Sequence, residues 1–451
     1  MALSCAYLLI RSMIVSVHNT PVEASYPLEF RVEEAKNLGE QLRFRHNVEL
    51  VGMKHVGIGN FLSYFLNHAG VVDRFINHGE KHLFITVDLN DLVEREIHPF
   101  WVLLFKRVVD SCESIEIDLA DKKEISSLFL SSIQSQDLFS TIENLKKSLN
   151  LIVKNDFLPT IFLLRLDRLK DVFNEEFFSN LEGLVDATGQ KLAYVFTSYR
   201  SLGEIAQPFF EKKYPTLFPN KIYVKPAGES DTQIIFKTFE KKYELVLDKV
   251  ILKKIFDLSA GHVQYLQLSL LILKQKIGDN SVDASRLMAT IAADERVNLL
   301  SEEIWESLTR EEQEVLKKIR TGKSIGELEK KKAQYLWDCG VVSAKNSQIA
   351  IFNPLFENYL KGSDVKGDRI EAVEFTKKEN LLFLLLKESV GEVCEREKII
   401  KTVWPEYEEV GVSDWTIDRL VARLRNKLKQ QNSPYTIKTI KTRGYMLVEE
   451  S

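Results

Sequence analysis

Cysteine is scarce. The chain holds four in 451 residues, Cys5, Cys112, Cys339 and Cys394, widely scattered and without a C-x-x-C pair. That spacing suggests neither a disulfide framework nor a zinc site, leaves each thiol as a small buried hydrophobe, and fits a reducing cytoplasm. Long apolar runs are lacking too. The most apolar stretch, residues 1–20, is interrupted by Arg11, has no early basic region, and falls short of the roughly 20 apolar residues of a membrane span. It reads as a buried strand or helix, or as residues upstream of a true start at Met13, and no membrane is expected among the partners. Internal repeats and low-complexity tracts are absent, and the net charge is only −4. With 45% hydrophobic and 28% charged residues, what is there is a globular chain that can bury several cores, in three or four domains.

The charge is small in sum but unevenly spread. Residues 415–443 carry eight Lys or Arg against one acid, Asp418, so this segment is about +7 and the remainder near −11. At helical spacing Ile417, Leu420, Val421, Leu424 and Leu428 form one apolar stripe, while Thr416, Arg419, Arg423, Asn426 and Lys427 fall largely off it. After Gln431 the pattern changes to the alternation Tyr435-Thr-Ile-Lys-Thr-Ile-Lys, a turn over Thr442-Arg-Gly-Tyr445, and a returning strand Met446-Leu-Val448. A basic helix and hairpin on an acidic chain suit phosphate contact, since each neutralised phosphate releases condensed counterions. A solvated amphipathic surface helix has the same composition, so the order of neighbouring elements decides between them.

Upstream, Thr376 and Glu379 make a capping-box pattern for an apolar helix through Leu386, Gly391 lies in a break, and 395–404 form a short second helix stopped by Pro405. Thr376 with Glu379, Arg396 to Trp404, Asp418 with Leu424-Arg-Asn-Lys-Leu428, and Ile437-Lys-Thr439 with Arg443-Gly-Tyr445 follow one another over about 75 residues. In that order the segment 375–448 resembles the winged-helix DNA-binding domain of OmpR/PhoB-type transcription regulators. The resemblance implies that the helix at 413–430 enters the major groove of double-stranded DNA and that the hairpin at 435–448 is the wing on the adjacent backbone or minor groove. It directs Thr416, Arg419 and Arg423 to base edges and Arg425, Lys427, Lys438, Lys441 and Arg443 to phosphates, with Thr439 and Tyr445 in the same interface. The small sheet that precedes the first helix in this family has only 369–375 available, and is expected to be reduced.

Nearer the N-terminus, strands and helices alternate. A helical pattern over 31–42 leads into a buried strand at Asn47-Val-Glu-Leu-Val-Gly52, a turn Gly52-Met-Lys-His-Val-Gly-Ile-Gly59, and a helix at 61–66. Further strands at 83–89, 160–167 and 192–198, with helices at 99–109, 142–154 and 174–187, imply a parallel α/β sheet. Strand, glycine loop and helix form the scaffold on which backbone N–H groups cradle a phosphate. The region 34–223 resembles a P-loop NTPase core of the AAA+/STAND kind, with its chemistry altered. Aligned on Gly52, Gly57 and Gly59, the lysine position is Asn60 and the hydroxyl position is Phe61, so neither a cation for the β/γ-phosphates nor a hydroxyl for Mg²⁺ is supplied there. Asp167 stands where a Walker B aspartate ends its strand, but the acid that should follow is Arg168. Ser198 and Arg200 occupy the places of a sensor residue and its flanking arginine, and Lys54 or His55 could replace the lost cation. The resemblance implies Gly52, Lys54, Gly57, Gly59, Asn60 and Asp167 as the nucleotide-binding set, with two alternatives open: no cofactor, or ATP or ADP bound without turnover.

Residues 227–285 read as a helical lid, where the glycine-histidine-proline turn of the family is Gly261-His262-Val263. In 286–360, Thr309 and Glu312 make a capping box for a helix to Arg320, a second helix covers 325–339, and a hairpin turns around Lys345-Asn-Ser. That second helix mixes Glu327 and Glu329 with Lys330, Lys331 and Lys332, so this winged helix reads as a packing domain. Residues 361–368 are a polar linker. The fold expected is α/β and multidomain: an N-terminal segment 1–33, a P-loop NTPase-like parallel sheet over 34–226 with a helical lid, followed by two winged-helix domains at 286–360 and 369–451. The function implied is a cytoplasmic, sequence-specific DNA-binding transcription regulator whose nucleotide module serves sensing or oligomerisation. Its expected partners are double-stranded DNA, a second copy of the chain and a protein effector. No phospho-acceptor receiver pattern is present. The alternatives are an ATP-dependent STAND-type switch and a protein-binding scaffold without DNA readout.

Overall fold

The computed structural model describes residues 21–76, 79–92, 95–206, 217, 219–277, 285–345, 348–363, 375, 377–404, 414–431, 433–440 and 443–449. The structure expected for 1–20, the capping residue Thr376, the linker beyond Ser363 and the site residue Lys441 lie outside them. By packing, the chain divides into one unit of 1–287 with 307–354 and a second of 288–306 with 355–451. The stretch 286–360, expected as one winged helix, is therefore shared between the two.

In the first unit, β1 (Val48–Val51), β2 (Lys81–Asp88), β3 (Phe157–Leu164), β4 (Ala193–Ser198) and β5 (Asn220–Tyr223) form a parallel sheet in the order β2-β3-β4-β1-β5. β1 lies between β4 and β5, in register from Val48 opposite Val195 and Asn220 to Val51 opposite Ser198 and Tyr223. Every residue of β1 and β4 is buried, as expected of parallel strands covered on both faces. Helices Ile97–Glu113, Leu138–Lys154 and Glu175–Ala187 supply Trp101, Leu149 and Phe177 to the core against Ile161 and Leu163 of β3. A further helix, Leu119–Ser135, was not anticipated. Asp118 opens it by accepting the Ala120 N–H at 3.0 Å. Ile125 is buried and Leu128 and Phe129 pack half-buried beside it, but Asp121 and Ser132 are buried on the same face while Leu119 and Leu130 turn outward, so the apolar stripe is short and broken.

Helices Glu229–Tyr243, Lys249–Ser259 and Val263–Ile277 follow β5. The capping box at Thr309 forms: Thr309 Oγ1 accepts the Glu312 N–H at 3.3 Å, and Glu312 Oε2 accepts the Thr309 N–H at 2.9 Å. The helix expected over 325–339 is two pieces, Glu327–Lys332 and Tyr335–Asp338. The first buries nothing; the chain then turns at the buried Ala333 to direct Tyr335 and Leu336 inward. The hairpin β6 (Val342–Lys345) and β7 (Gln348–Ile351) closes this part.

In the second unit, helices Lys377–Lys387, Arg396–Val403 and Asp414–Gln430 pack with a sheet of β8 (Cys394–Glu395), β9 (Tyr435–Ile440) and β10 (Gly444–Glu449) in the order β8-β10-β9. Leu382, Leu386, Ile399, Trp404, Leu420 and Leu447 are among its core residues. β8 was not expected. It fits because residue 444 is glycine: a Cβ there would sit 2.0 Å from the Cys394 carbonyl oxygen. Helix Glu295–Glu306 belongs to the same unit. Cys112, Cys339 and Cys394 are buried free thiols, and burial pushes the Cys112 thiol up to about 12.

Candidate nucleic-acid interface and phosphate loop

The helix Asp414–Gln430 divides as its sequence spacing requires. Ile417, Leu420, Val421, Leu424 and Leu428 are buried in the core, which turns the cationic residues outward. Their partners are specific. Arg419 is ion-paired to Glu306, and Arg423 to Glu302 at 3.2 Å and to the buried Glu379 at 3.0 Å. Lys427 meets the other oxygen of Glu379 at 2.7 Å. Desolvation lowers the Arg419 pKa, but its bond to Glu306 and the charges of Glu306, Glu303 and Glu302 outweigh that and raise it overall.

Two of the expected contact residues make bonds that fasten the domain internally. Tyr445 is buried, and its hydroxyl donates to Asp418 while accepting from Arg396 Nη2 at 3.0 Å. Burial, then the Asp418 carboxylate, hold that phenol above its usual range. It is the polar pin between the helix and β10, a role its place in the pattern could not separate from contact with a ligand. Arg425 donates to the Ile437 carbonyl at 2.7 Å and to Thr439 Oγ1 at 2.8 Å, tying the helix to β9. Lys438 and Arg443 are exposed on the hairpin. The side chain of Thr416 lies outside the described residues.

In the first unit, β1 runs into the glycine turn. Gly57, at φ 114°, caps the helix Ile58–Asn67; a Cβ on it would meet Val263 Cγ2 at 2.5 Å, so the turn is closed against the helix that begins at Val263. One on Gly52 would meet the Val224 carbonyl at 2.7 Å, whereas Gly59 faces open space. The helix starts earlier than expected, so Ile58 and Gly59 fill its first two positions and Asn60 is third. Asn60 Nδ2 donates to Glu23 Oε1 at 3.1 Å and to the Tyr26 hydroxyl at 3.3 Å. This corrects its assignment to the lysine place: the spacing from Gly52 puts Ile58 there, and neither Ile58 nor Gly59 carries an ammonium or hydroxyl.

Lys54 lies with its Nζ 4.9 Å from the Tyr199 ring centroid. Asp167 is not at the strand end: β3 stops at Leu164, and Asp167 sits in the 3-10 turn Leu166–Leu169. Burial raises its pKa, with Lys54 the largest opposing influence. Arg200, in the sensor-flanking place, is buried against Glu312 at 2.7 Å and donates to the Ser307 carbonyl at 2.7 Å, which makes it a packing residue of this unit. The Ser198 hydroxyl donates to the Arg200 carbonyl.

Two residues matter more than their sequence context suggested. His262 is buried, with Nε2 at 3.0 Å from the Lys54 carbonyl and Nδ1 at 3.4 Å from the Tyr265 N–H. A neutral ring protonated on Nε2 satisfies both contacts, and burial depresses its pKa to about 3. It links the turn to the helix at Val263. Arg31, at φ 44°, is 2% exposed; Nη1 bonds Glu34 at 2.9 Å and the Lys225 carbonyl at 3.1 Å. Its Nε and Nη2 are buried with no hydrogen-bond partner among the described residues, and Nη2 lies 3.8 Å from where a Gly57 Cβ would be. Nothing local in the sequence marks it.

Known proteins resemble the chain most specifically at its C-terminal end. Residues 370–447 match the family described as "Transcriptional regulatory protein, C terminal". The C-terminal domain is an OmpR/PhoB-type winged helix. Within it, the chain is 31% identical over 81 residues to the transcriptional regulatory protein YxdJ of Bacillus subtilis, covering 18% of this chain and 34% of that protein. It is 36% identical over 77 residues to the response regulator ArlR of Staphylococcus haemolyticus, covering 17% and 34%. The chain thus spans about a third of the length of the curated relatives it matches. Among solved structures, the Walker-type ATPase PABY2304 of Pyrococcus abyssi aligns with 76% of this chain and 97% of its own at 16% identity and a TM-score of 0.45. The ORC1 protein of Aeropyrum pernix, solved in complex with DNA, aligns with 96% and 92% at 12% identity and a TM-score of 0.42. The P-loop-like character of the first unit rests on its strand order and the turn after β1. Among the described residues no helix is long and apolar enough to cross a membrane.

Proposed function

We propose that the chain is a sequence-specific DNA-binding transcription regulator whose P-loop-like module has lost ATP turnover and serves sensing or self-association. The observation that carries the reading is the winged helix itself, with a basic helix whose apolar stripe is buried and a hairpin that exposes Lys438 and Arg443. Double-stranded DNA is the partner this chemistry suits, with Arg419 and Arg423 toward base edges and the wing on the backbone. The cytoplasm is the compartment this reading requires. One winged helix covers one half-site, so a second copy of the chain would raise affinity through effective concentration, and a protein effector could set that pairing.

Loss of turnover is supported by Ile58 and Gly59 at the positions where a phosphate lysine and a Mg²⁺ hydroxyl act, and by Arg168 after Asp167. Binding without turnover remains chemically supplied: Arg31 brings a buried, partly unpaired guanidinium to Gly57, and Lys54 lies electrostatically close to Asp167. The test of the main reading is selection from random duplexes by the full chain. A recovered direct or inverted repeat supports it, and sequence-blind binding overturns it. For the module, phosphate release from ATP is expected to be absent; turnover that vanishes in Asp167→Ala would restore the ATP-driven switch.

A further inference from the structure

The helix Glu295–Glu306 lies outside the matched winged-helix segment, yet its carboxylates hold the two arginines assigned to base edges. Glu302 and Glu306 are four residues apart on one helix, and Arg423 and Arg419 are four apart on the other. The pairing runs in opposite senses along the two helices, so the antiparallel arrangement matches two charges to two charges in one ladder. At the other end of the acidic helix, Glu295 meets Lys378 at 3.3 Å. The arginine side chains keep only 14% and 18% of their surface. Glu302 is itself partly desolvated, which raises its pKa against the pull of Arg423. Tyr359, on the helix Pro354–Ser363, is half-buried and feels the charge of both Glu302 and Glu306, so the acidic helix is backed from a second side.

A carboxylate offers an arginine what a phosphate offers it, an oxygen acceptor with negative charge, and it engages the same N–H donors that the neutral O6 and N7 acceptors of a guanine edge would take. We propose that the helix Glu295–Glu306 is a built-in competitor for DNA: in the closed chain Glu306 occupies Arg419 and Glu302 shares Arg423 with Glu379 of the winged helix, and a duplex enters only when the acidic helix leaves. This rests on the reading of Asp414–Gln430 as the base-reading helix. Apparent affinity is then the intrinsic affinity multiplied by the fraction of open chain, and that fraction is the same for every duplex.

The consequence is measurable on the full chain with the selected duplex and a scrambled one of equal length. Glu302→Gln/Glu306→Gln is expected to tighten binding to both by the same factor, at least about tenfold, leaving their affinity ratio unchanged. Glu388→Gln/Glu392→Gln, which removes the same charge from exposed positions of the same unit, controls for long-range repulsion. An equal gain in that control, or no gain in the first variant, overturns the proposal while the DNA reading stands. No binding by either protein overturns both. Hydrogen exchange adds a readout independent of variants: duplex added to the wild-type chain should speed amide exchange across 295–306, and unchanged exchange there contradicts release.

Discussion

Replacing Glu49 by Gln should stabilise the first unit, and only at neutral to alkaline pH. Glu49 lies on β1, between β4 and β5, fully buried. Oε1 accepts the Leu202 N–H, and Oε2 has no hydrogen-bond partner among the described residues. Desolvation drives its pKa from 4.5 to about 7, against the Leu202 hydrogen bond and the charge of Lys221. A carboxyl raised in the folded state binds its proton more tightly there than when unfolded, so its favourable contribution is full below 4.5 and is lost as pH rises through about 7. At about 1.36 kcal/mol per unit, that separation corresponds to roughly 3 kcal/mol between the two limits. The amide keeps the acceptor for Leu202 and removes the titration, but its buried NH₂ without an acceptor costs about 1 kcal/mol or more. Glu49→Gln should therefore gain about 2 kcal/mol relative to wild type at pH 8 and lose that advantage at about pH 5. Urea unfolding at a series of pH values, followed through the transition of the first unit, measures the difference. A gap between the two proteins that stays constant from pH 5 to pH 8 would refute the assignment of a neutral buried carboxyl.

Other consequences are local. Arg200→Ala leaves Glu312 buried without its ion-pair partner and should cost about 3–5 kcal/mol, read by urea unfolding; Arg200→Ala with Glu312→Gln should recover part of it. His262 has its pKa depressed from 6.5 to about 3, so its contribution to stability is present above 6.5 and is lost as pH falls towards 3. His262→Gln should flatten that acid limb in thermal unfolding, and an unaltered limb would remove His262 as its cause. Gly444→Ala places a methyl against backbone at Cys394 that cannot give way, and should lower stability of the winged helix by about 1–3 kcal/mol, measured as an earlier urea transition of that domain.

How much the sequence disclosed follows from what each residue answers to. The stripe from Ile417 to Leu428 is read from spacing alone, and every member is buried. The Thr309–Glu312 box is equally local, and both of its hydrogen bonds form. Helix Leu119–Ser135 escaped because its buried face includes Asp121 and Ser132 while Leu119, Leu130 and Ile133 face outward, which blurs the period. The start of the helix after the glycine turn was displaced because three glycines allow two alignments, and only the φ of Gly57, as the cap before Ile58, selects one. Side-chain pairing was the least legible. A count of charges marks Arg419 and Arg423 as cationic but cannot find Glu306 and Glu302, more than a hundred residues earlier in the chain. Tyr445 shows the converse: an aromatic in a family pattern reads as a contact residue until burial and the Asp418 bond show it to be internal.

The central claim is that Asp414–Gln430 reads base sequence, and the most direct test is the ratio of full-chain affinities for the selected and scrambled duplexes in wild type and in Arg419→Ala/Arg423→Ala. The ratio is unaffected by any opening equilibrium common to both duplexes. Each lost base contact should cost about 1–3 kcal/mol of discrimination, so the ratio should fall by at least about tenfold. A variant that retains the wild-type ratio would mean that these arginines do not read DNA.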